Sequence, residues 1–543
     1  MSRATGAVAS YPEVGGARGI YDALAGAAED GPDRVYLRDG DQALTFGQVL
    51  ALADRMAARF AALGIGEGSR VVLWLPNGPD FAALFFACAR IGAVAVMAGT
   101  RLRAIDIRHI LDDSQATALV FNPSFMRIDY DAMVQTAIRG RDGATLPRLE
   151  HLLATGPSVV PGARCLGDVP AADVAPLMHD ADAPAVVCYT SGTTGSPKGC
   201  VHSHAALVRN GTVATGLIGV DSDDRIVCPV PFAHVFGFHM GLLQAALARA
   251  TLVNAEPYSA ARLLDIAESS RATVLYAVPT MAREAIAAQR ARPRDLSALR
   301  LALVAGAPVA PGLRSAIPRA DGLGCDVSVV YGCSEAPTLT QLVPGDPPRQ
   351  ALASVGRPTE GVELRILAQG GADALPEGEP GDIAVRGYNC MLGYLDDPDT
   401  TAAKYRDGWL VTGDLGWMDG DGFLHLAGRA SEMFLVGGFN AYPREIEAQL
   451  EMLDGVAEVA VLGVPDDRLG WVPMAWVTVD TPDLGEQEVL AWARAELASY
   501  KRPRYVRVVE SLPRTANGKL SRVKLEQLAR RAVPHLPWEG RDR

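Results

Sequence analysis

The strongest constraint in this chain of 543 residues is a rhythm. Short apolar runs, "RVVLWLP", "TVLYAV", "RLALVAG" and "CDVSVVYG", end in or just before Gly or Pro and are separated by stretches of helical patterning. A strand that is apolar on successive residues has both faces buried. Strands of that kind alternating with helices predict parallel sheets covered on both sides, with ligands gathered beyond the carboxyl ends of the strands. Thr45 and Gln48 form a capping-box signature, and Val49, Leu52, Met56, Phe60 and Leu63 follow at three- and four-residue spacing. The pattern predicts a helix that Gly64 stops. The greasiest stretch, "FAALFFACARIGAVAVM", carries Arg90 inside it and Gly92 after it. A membrane helix needs about 20 mainly apolar residues, so this stretch predicts a buried helix running into a buried strand.

The length suggests several structural units. After about Gly381 the texture changes to "GDIAVRGYNCMLGYL" and "DGWLVTGDLGWMDGDGFLHLAGR", short strands broken by Gly and Asp-Gly turns, which predict antiparallel, barrel-like structure. "YPREIEAQL" then opens a helix: Pro443 suits its first position, Glu445 and Glu447 its positive end, and Ile446, Leu450 and Leu453 its apolar stripe. The last hundred or so residues mix strands and helices, enough for a small α+β domain.

Charge and cysteines bound the function class. A formal net charge of -12 argues against a nucleic-acid protein, whose footprint would be basic. Eight cysteines lie scattered, without CxxC, which suits a reducing compartment. The opening "MSRATGAVASYPEVGG" lacks a signal-peptide pattern. A cytoplasmic enzyme of small molecules, with no membrane span, is the expectation.

The chemistry concentrates in "YTSGTTGSPKGCVHSH", from Tyr189 to His204. Its loop leaves the apolar run "PAVVCYT". Glycines let backbone N–H groups approach a ligand, the hydroxyls of Thr190, Ser191, Thr193 and Thr194 add donors, and Lys198 adds a mobile positive charge. That is a polyphosphate cradle. The spacing, Gly192-x-x-Gly195-x-x-Lys198-Gly199, is not that of a Walker A loop. Cys200, His202 and His204 alternate on a strand-like segment without a distant fourth ligand, which disfavours zinc.

This loop resembles the signature of the adenylate-forming (AMP-binding) superfamily, and companions follow in that superfamily's order: "PFAHVFGF", "YGCSEA", "YRDGWLVTGDLG", "GRASEMFLVGGFNAYPREIE" and "PRTANGK". The resemblance covers roughly residues 20 to 530 and points to the acyl-CoA synthetase branch. It implies an α/β fold: a large N-terminal domain of two parallel-sheet subdomains plus a small β-barrel (residues 1–430), and a small mobile α+β C-terminal domain (431–543), with a hinge near 429–432 at Ser431. It also implies two steps. A carboxylate attacks the α-phosphorus of ATP to give acyl-adenylate and pyrophosphate, and the thiol of CoA then displaces AMP. The alternative acceptor is a carrier protein's phosphopantetheine.

Roles carry over residue by residue. Thr190, Ser191, Gly192, Thr193, Thr194, Gly195 and Lys198 resemble the triphosphate loop. Gly306, Ala307 and Pro308, with Tyr331, Gly332 and Ser334, resemble the segments against the nucleotide. Asp414 resembles the ribose carboxylate, backed by Arg429. Glu335 resembles the ligand of Mg2+, with Thr194 nearby. Lys519 resembles the lysine that bridges carboxylate and α-phosphate, an electrostatic role. His234 resembles a gate at the acyl site rather than a base, since a carboxylate needs no deprotonation at neutral pH. Gly437 and Gly438 resemble the borders of the pantetheine tunnel. The acyl group is expected among Phe236, Phe238, His239, Met281, Ala307, Cys333, Ala336 and Pro337, an apolar set that suits an uncharged medium-chain, alicyclic or aromatic acid. Phe232-Ala233-His234 lacks the aspartate with which peptide-synthetase relatives pair a substrate ammonium, which disfavours α-amino acids. The expected partners are the small carboxylic acid and CoA, and a homodimer is a compatible assembly.

Overall fold

The apolar runs become the inner strands of two large sheets. The computed structural model describes residues 19–126, 128–139, 146–174, 180–190, 197–429, 432–437, 439–481, 484–515 and 519–536. The first sheet has nine strands among these residues, running spatially Arg357–Pro358, Ala336–Leu342, Asp326–Cys333, Leu301–Ala305, Val274–Ala277, Arg225–Cys228, Thr251–Asn254, Val35–Asp39 and Gln42–Thr45. Its centre is parallel, and its edges are antiparallel. The second sheet has eight strands: Gly393–Tyr394, Gly199–Ser203, Pro184–Tyr189, Val94–Ala98, Arg70–Trp74, Ala118–Phe121, His151–Ala154 and Ala163–Cys165. It too is parallel through its middle.

One hydrophobic core joins the two sheets. The greasy stretch forms the helix Pro79–Arg90, followed by the strand Val94–Ala98, as its pattern predicts. Nine of the helix's twelve residues are buried because it is wedged between the subdomains. Phe81 meets Phe232 at 5.9 Å between ring centres, and Phe85 meets Phe238 at 6.0 Å. Each such buried ring contributes about 1.5–3 kcal/mol relative to exposure. No helix of the described residues is long and apolar enough to cross a membrane.

The helix Phe46–Ala62 carries the predicted box: Thr45 Oγ1 accepts from Gln48 N at 3.2 Å, and Gln48 Oε1 accepts from Thr45 N at 2.9 Å. Its buried stripe differs from the predicted one. Val49 and Phe60 are buried as expected, but Ala53 and Ala57 fill the stripe, and Leu52 and Met56 are only half-buried. Close packing against the helix Pro79–Arg90 favours small side chains at the contact.

Residues 362–429 form an antiparallel sheet of barrel type, built on Val362–Leu367, Gly381–Gly387, Trp409–Met418 and Leu424–Arg429. The C-terminal unit has its own sheet, with Val456–Asp466 and Gly470–Val479 at its heart. Alternation of period two splits its core. Val459, Val461, Ala475 and Val477 pack with the helices Pro443–Leu450 and Glu486–Glu496. Ala460, Leu462, Met474 and Trp476 pack with the helix Arg522–Ala532.

Candidate active site

The quoted loop springs from a two-stranded stem. Pro184–Tyr189 pairs antiparallel with Gly199–Ser203, placing Cys188 opposite Cys200. Thr190 N donates to Lys198 O at 2.9 Å, and Lys198 N donates to Thr190 Oγ1 at 3.3 Å, so these residues close the neck. Ser191, Gly192, Thr193, Thr194 and Gly195 lie outside the described residues, as do Ser431 and Gly438. Lys198 Nζ stands 5.4 Å from the centre of the Tyr394 ring. Below the stem, His202 Nε2 lies 2.7 Å from the Ser334 carbonyl, so that histidine supports the turn bearing Glu335. His204 opens the next helix, and its Nδ1 accepts from Ile20 N at 3.4 Å.

Two parallel strand ends supply the segments expected to lie against a nucleotide. Leu301–Ala305 ends in Gly306, whose φ of +84° turns the chain outward, leaving Ala307 and Pro308 exposed. Its neighbour Asp326–Cys333 ends with Tyr331, Gly332 and Cys333, then turns at Ser334 and Glu335 into Ala336–Leu342. Tyr331 OH donates to Asp414 Oδ2 at 2.9 Å, and Arg429 Nε lies 3.2 Å from Asp414 Oδ1 across the ladder pairing the two residues. Burial raises the Asp414 carboxyl above its ordinary pKa, with Arg429 and Tyr331 opposing it. Each oxygen keeps accepting capacity for a diol.

Glu335 is nearly buried, and burial alone would raise its pKa. The Lys404 ammonium, with Nζ 3.5 Å from Oε1, and the Tyr394 hydroxyl, donating to Oε1 at 2.8 Å, outweigh that and leave the carboxyl below its ordinary value. It is therefore an ionised acid at neutral pH. Magnesium asks for only one or two carboxylates plus phosphate and water oxygens, so Glu335 fits the role of a magnesium ligand.

"PFAHVFGF" folds less predictably. Phe236–Leu243 is a π-helix whose eight residues are all buried. Gly237 is required by close approach, since a Cβ there would sit 2.0 Å from the Pro231 carbonyl oxygen. Phe236 lies 5.7 Å from the Tyr276 ring. Two of the expected acyl-group neighbours turn to the core instead. Phe238 packs on Phe85, and His239 places Nε2 3.1 Å from the Leu207 carbonyl. Met281 sits in the first turn of the helix Pro279–Ala291, and Ala336 is fully buried in its strand. Pro337 is also buried, its carbonyl accepting from Asn389 Nδ2 at 2.8 Å.

Lys519 comes to this cleft from the other end of the chain. It lies within electrostatic reach of His234, Arg429, Asp414, Cys333 and Glu335. Burial first, and Arg429 second, lower its ammonium pKa below the ordinary lysine value. Burial and the Lys519 charge push His234 down to about 4, so its imidazole is neutral at working pH. The acyl-adenylate step should therefore show no acid limb near pH 6.5 from His234. It should fall on the alkaline side as Lys519 loses its proton below the usual lysine range. A pH profile of pyrophosphate release from wild type and His234→Asn checks both; a limb near 6.5 that disappears in the variant would contradict the geometry. Gly437 lies in the C-terminal unit, its N–H donating to Leu469 O at 2.8 Å.

Sequence reasoning missed Lys404 and Tyr394. Lys404 stands ten residues before Asp414 and could have been flagged by proximity to "VTGD". Tyr394 had no local signal: it reaches Glu335 only because Gly393–Tyr394 adds antiparallel to Gly199–Ser203.

Two family models match the chain: "AMP-binding enzyme" over residues 24–395 and "AMP-binding enzyme C-terminal domain" over 445–519. The 3-[(3aS,4S,7aS)-7a-methyl-1,5-dioxo-octahydro-1H-inden-4-yl]propanoyl:CoA ligase of Rhodococcus jostii is 34% identical over 518 residues, 93% of this chain and 98% of that one. The indoleacetate–CoA ligase of Aromatoleum aromaticum is 34% identical over 507 residues, 92% and 96% of the two chains. The crystal structure of the anthranilate CoA ligase AuaEII, in complex with anthranoyl-AMP, superposes with a TM-score of 0.85 at 27% identity, covering 95% of this chain and 98% of that one.

Proposed function

This chain belongs to the AMP-binding enzymes and is an AMP-forming acid–CoA ligase, and we propose that its acid carries an uncharged tail, medium-chain, alicyclic or aromatic. The observation that carries this reading is the set of groups brought together at Ala233, His234 and Lys519, which we read as a wall of the acyl site. Ala233 stands where an ammonium-binding relative would have an acid, His234 beside it is neutral, and Lys519 approaches from the opposite unit. A carboxylate is attracted there and a cationic tail is repelled. The bicyclic propanoate and the indoleacetate named for the two relatives support the same tail class.

In the first step Lys198 and the loop it closes hold the triphosphate, Gly306 to Pro308 and Tyr331 hold the base side, and Asp414 with Arg429 fixes the ribose. His234 borders the entering carboxylate. Lys519 holds the carboxylate against the α-phosphate and neutralises the charge that grows on its oxygens, a preorganised electrostatic contribution. Glu335, with Thr194, would hold a magnesium ion, which supplies charge neutralisation on the phosphate oxygens when bound. In the second step the C-terminal unit turns about Ser431, Lys519 withdraws, and Gly437 and Gly438 border the path of the CoA thiol. Lids and hinges of this kind complete sites one step at a time.

The direct test is product analysis over a panel of acids such as octanoate, cyclohexanecarboxylate and 3-phenylpropanoate, with and without CoA. AMP should appear in equal amount to acyl-CoA, and a divalent metal should be required. ADP as the stoichiometric product would sink the reading.

A further inference from the structure

Lys519 is held by a chain of charges that runs from one unit of the protein to the other. Its hairpin is closed by Thr515 N donating to Lys519 O at 2.7 Å and by Ser521 N donating to Pro513 O at 2.8 Å, and Arg514 pairs with Leu520 across it. Arg514 Nη2 donates to both carboxylate oxygens of Glu458, at 2.7 and 2.8 Å. Glu458 lies in the strand Val456–Asp466 of the C-terminal unit. The same Glu458 Oε1 lies 3.7 Å from Nε of Arg283, on the helix Pro279–Ala291 of the N-terminal unit. Arg283 also acts on Glu451, a nearly buried carboxyl of the C-terminal unit whose pKa burial raises and Arg444 and Arg283 oppose. One guanidinium of the N-terminal unit thus faces two carboxylates of the C-terminal unit, and one of these is bonded to the stem of the lysine hairpin.

We propose that Arg283 is a positioning residue for Lys519, acting through Glu458 and Arg514 to hold the lysine hairpin in the cleft during adenylation and releasing it for the thiol step. The inference rests on the reading of Lys519 as the adenylating lysine. Its chemistry suits a contact that breaks and reforms in every turnover. The Arg514–Glu458 pair lies within one unit and travels with the hairpin. The Arg283–Glu458 pair spans the units and is longer, at 3.7 Å against 2.7 Å, while both pairs leave their side chains partly in water, 31% and 21% exposed. A long, partly solvated pair of this kind is worth little, enough to bias a two-position equilibrium without trapping it. A deeply buried pair would hold the first arrangement and slow the second step.

The test uses the full-length enzyme and separates the half-reactions. Arg283→Ala should slow single-turnover pyrophosphate release by roughly two- to fivefold and leave acyl-CoA formation from supplied acyl-adenylate at or above the wild-type rate. Arg283→Lys should recover most of the loss. Equal slowing of both half-reactions, or no change in either, would overturn the proposal, since a purely structural role cannot favour one step. The second readout is a distance distribution between spin labels on non-canonical residues at exposed Ser269 and Gln527, in the nucleotide-free enzyme. Arg283→Ala should reduce the population with the present arrangement of the units. An unchanged distribution fails the latch by itself, whereas normal adenylation in Lys519→Ala fails the lysine reading by itself.

Discussion

Replacing Lys519 by alanine is expected to slow acyl-adenylate formation by roughly 100- to 1000-fold, the range for losing a preorganised electrostatic stabiliser, while sparing the thioester step. The size of the effect follows from where the ammonium sits. It is largely withdrawn from water and carries a pKa already lowered by burial and by Arg429, so its charge acts in a medium that screens poorly. No described neighbour can replace it. Arg429 is engaged with Asp414, and Lys404 with Glu335 and the Thr412 carbonyl. The second step is expected to use a different arrangement, because pyrophosphate and CoA are both large and anionic and the thiol must reach the same carbonyl carbon. Rapid-quench measurement of pyrophosphate release, alongside acyl-CoA formation from synthetic acyl-adenylate, checks both halves. Equal losses in the two would show that one static site serves both reactions.

The second large effect concerns the substrate. Exchanging 3-phenylpropanoate for phenylalanine should lower kcat/KM by two orders of magnitude or more, because an unpaired ammonium withdrawn from water costs several kcal/mol. The carboxylates that could offset this are committed. Glu335 is held by Lys404 and Tyr394, and Asp414 by Arg429 and Tyr331. The group closest in character to an acceptor, His234, already feels the Lys519 charge. Introducing an acid through Ala233→Asp should recover part of the loss for phenylalanine and weaken the phenylpropanoate reaction. Comparable kcat/KM for the two acids in the wild-type enzyme would contradict the assignment of this wall.

Much of this was legible because it is local. A run that is apolar on successive residues is buried on both faces, so "VVLWL" and "LALVA" read as inner strands, and the proline or glycine that follows each marked where loops would gather. Thr45 and Gln48 capped a helix because both partners lie within one turn. Asp414 and Arg429 sit on facing strands of one antiparallel ladder, joined by a short connection. The stripe of the same helix is less legible. A hydrophobicity pattern ranks Leu52 and Met56 above Ala53 and Ala57, whereas the contact with the neighbouring helix selects for small size. Likewise the pattern of "VFGFHMGLL" contains no cue for a π-helix, nor for how closely Gly237 approaches Pro231.

What the sequence determined by itself was the order and chemistry of the motifs: a small-residue loop closed by Lys198, an acid after Tyr331, an aspartate in a barrel strand, and a lysine on a late hairpin. Their convergence was decided by tertiary structure alone. Tyr394 reaches Glu335 through the register of a strand pairing with a distant partner, and Arg283 reaches Glu458 only through the docking of two units. The physical reason is range. Side-chain period and turn chemistry act over a few residues, but register and docking are set by the summed packing of whole faces, which no short stretch of chain contains.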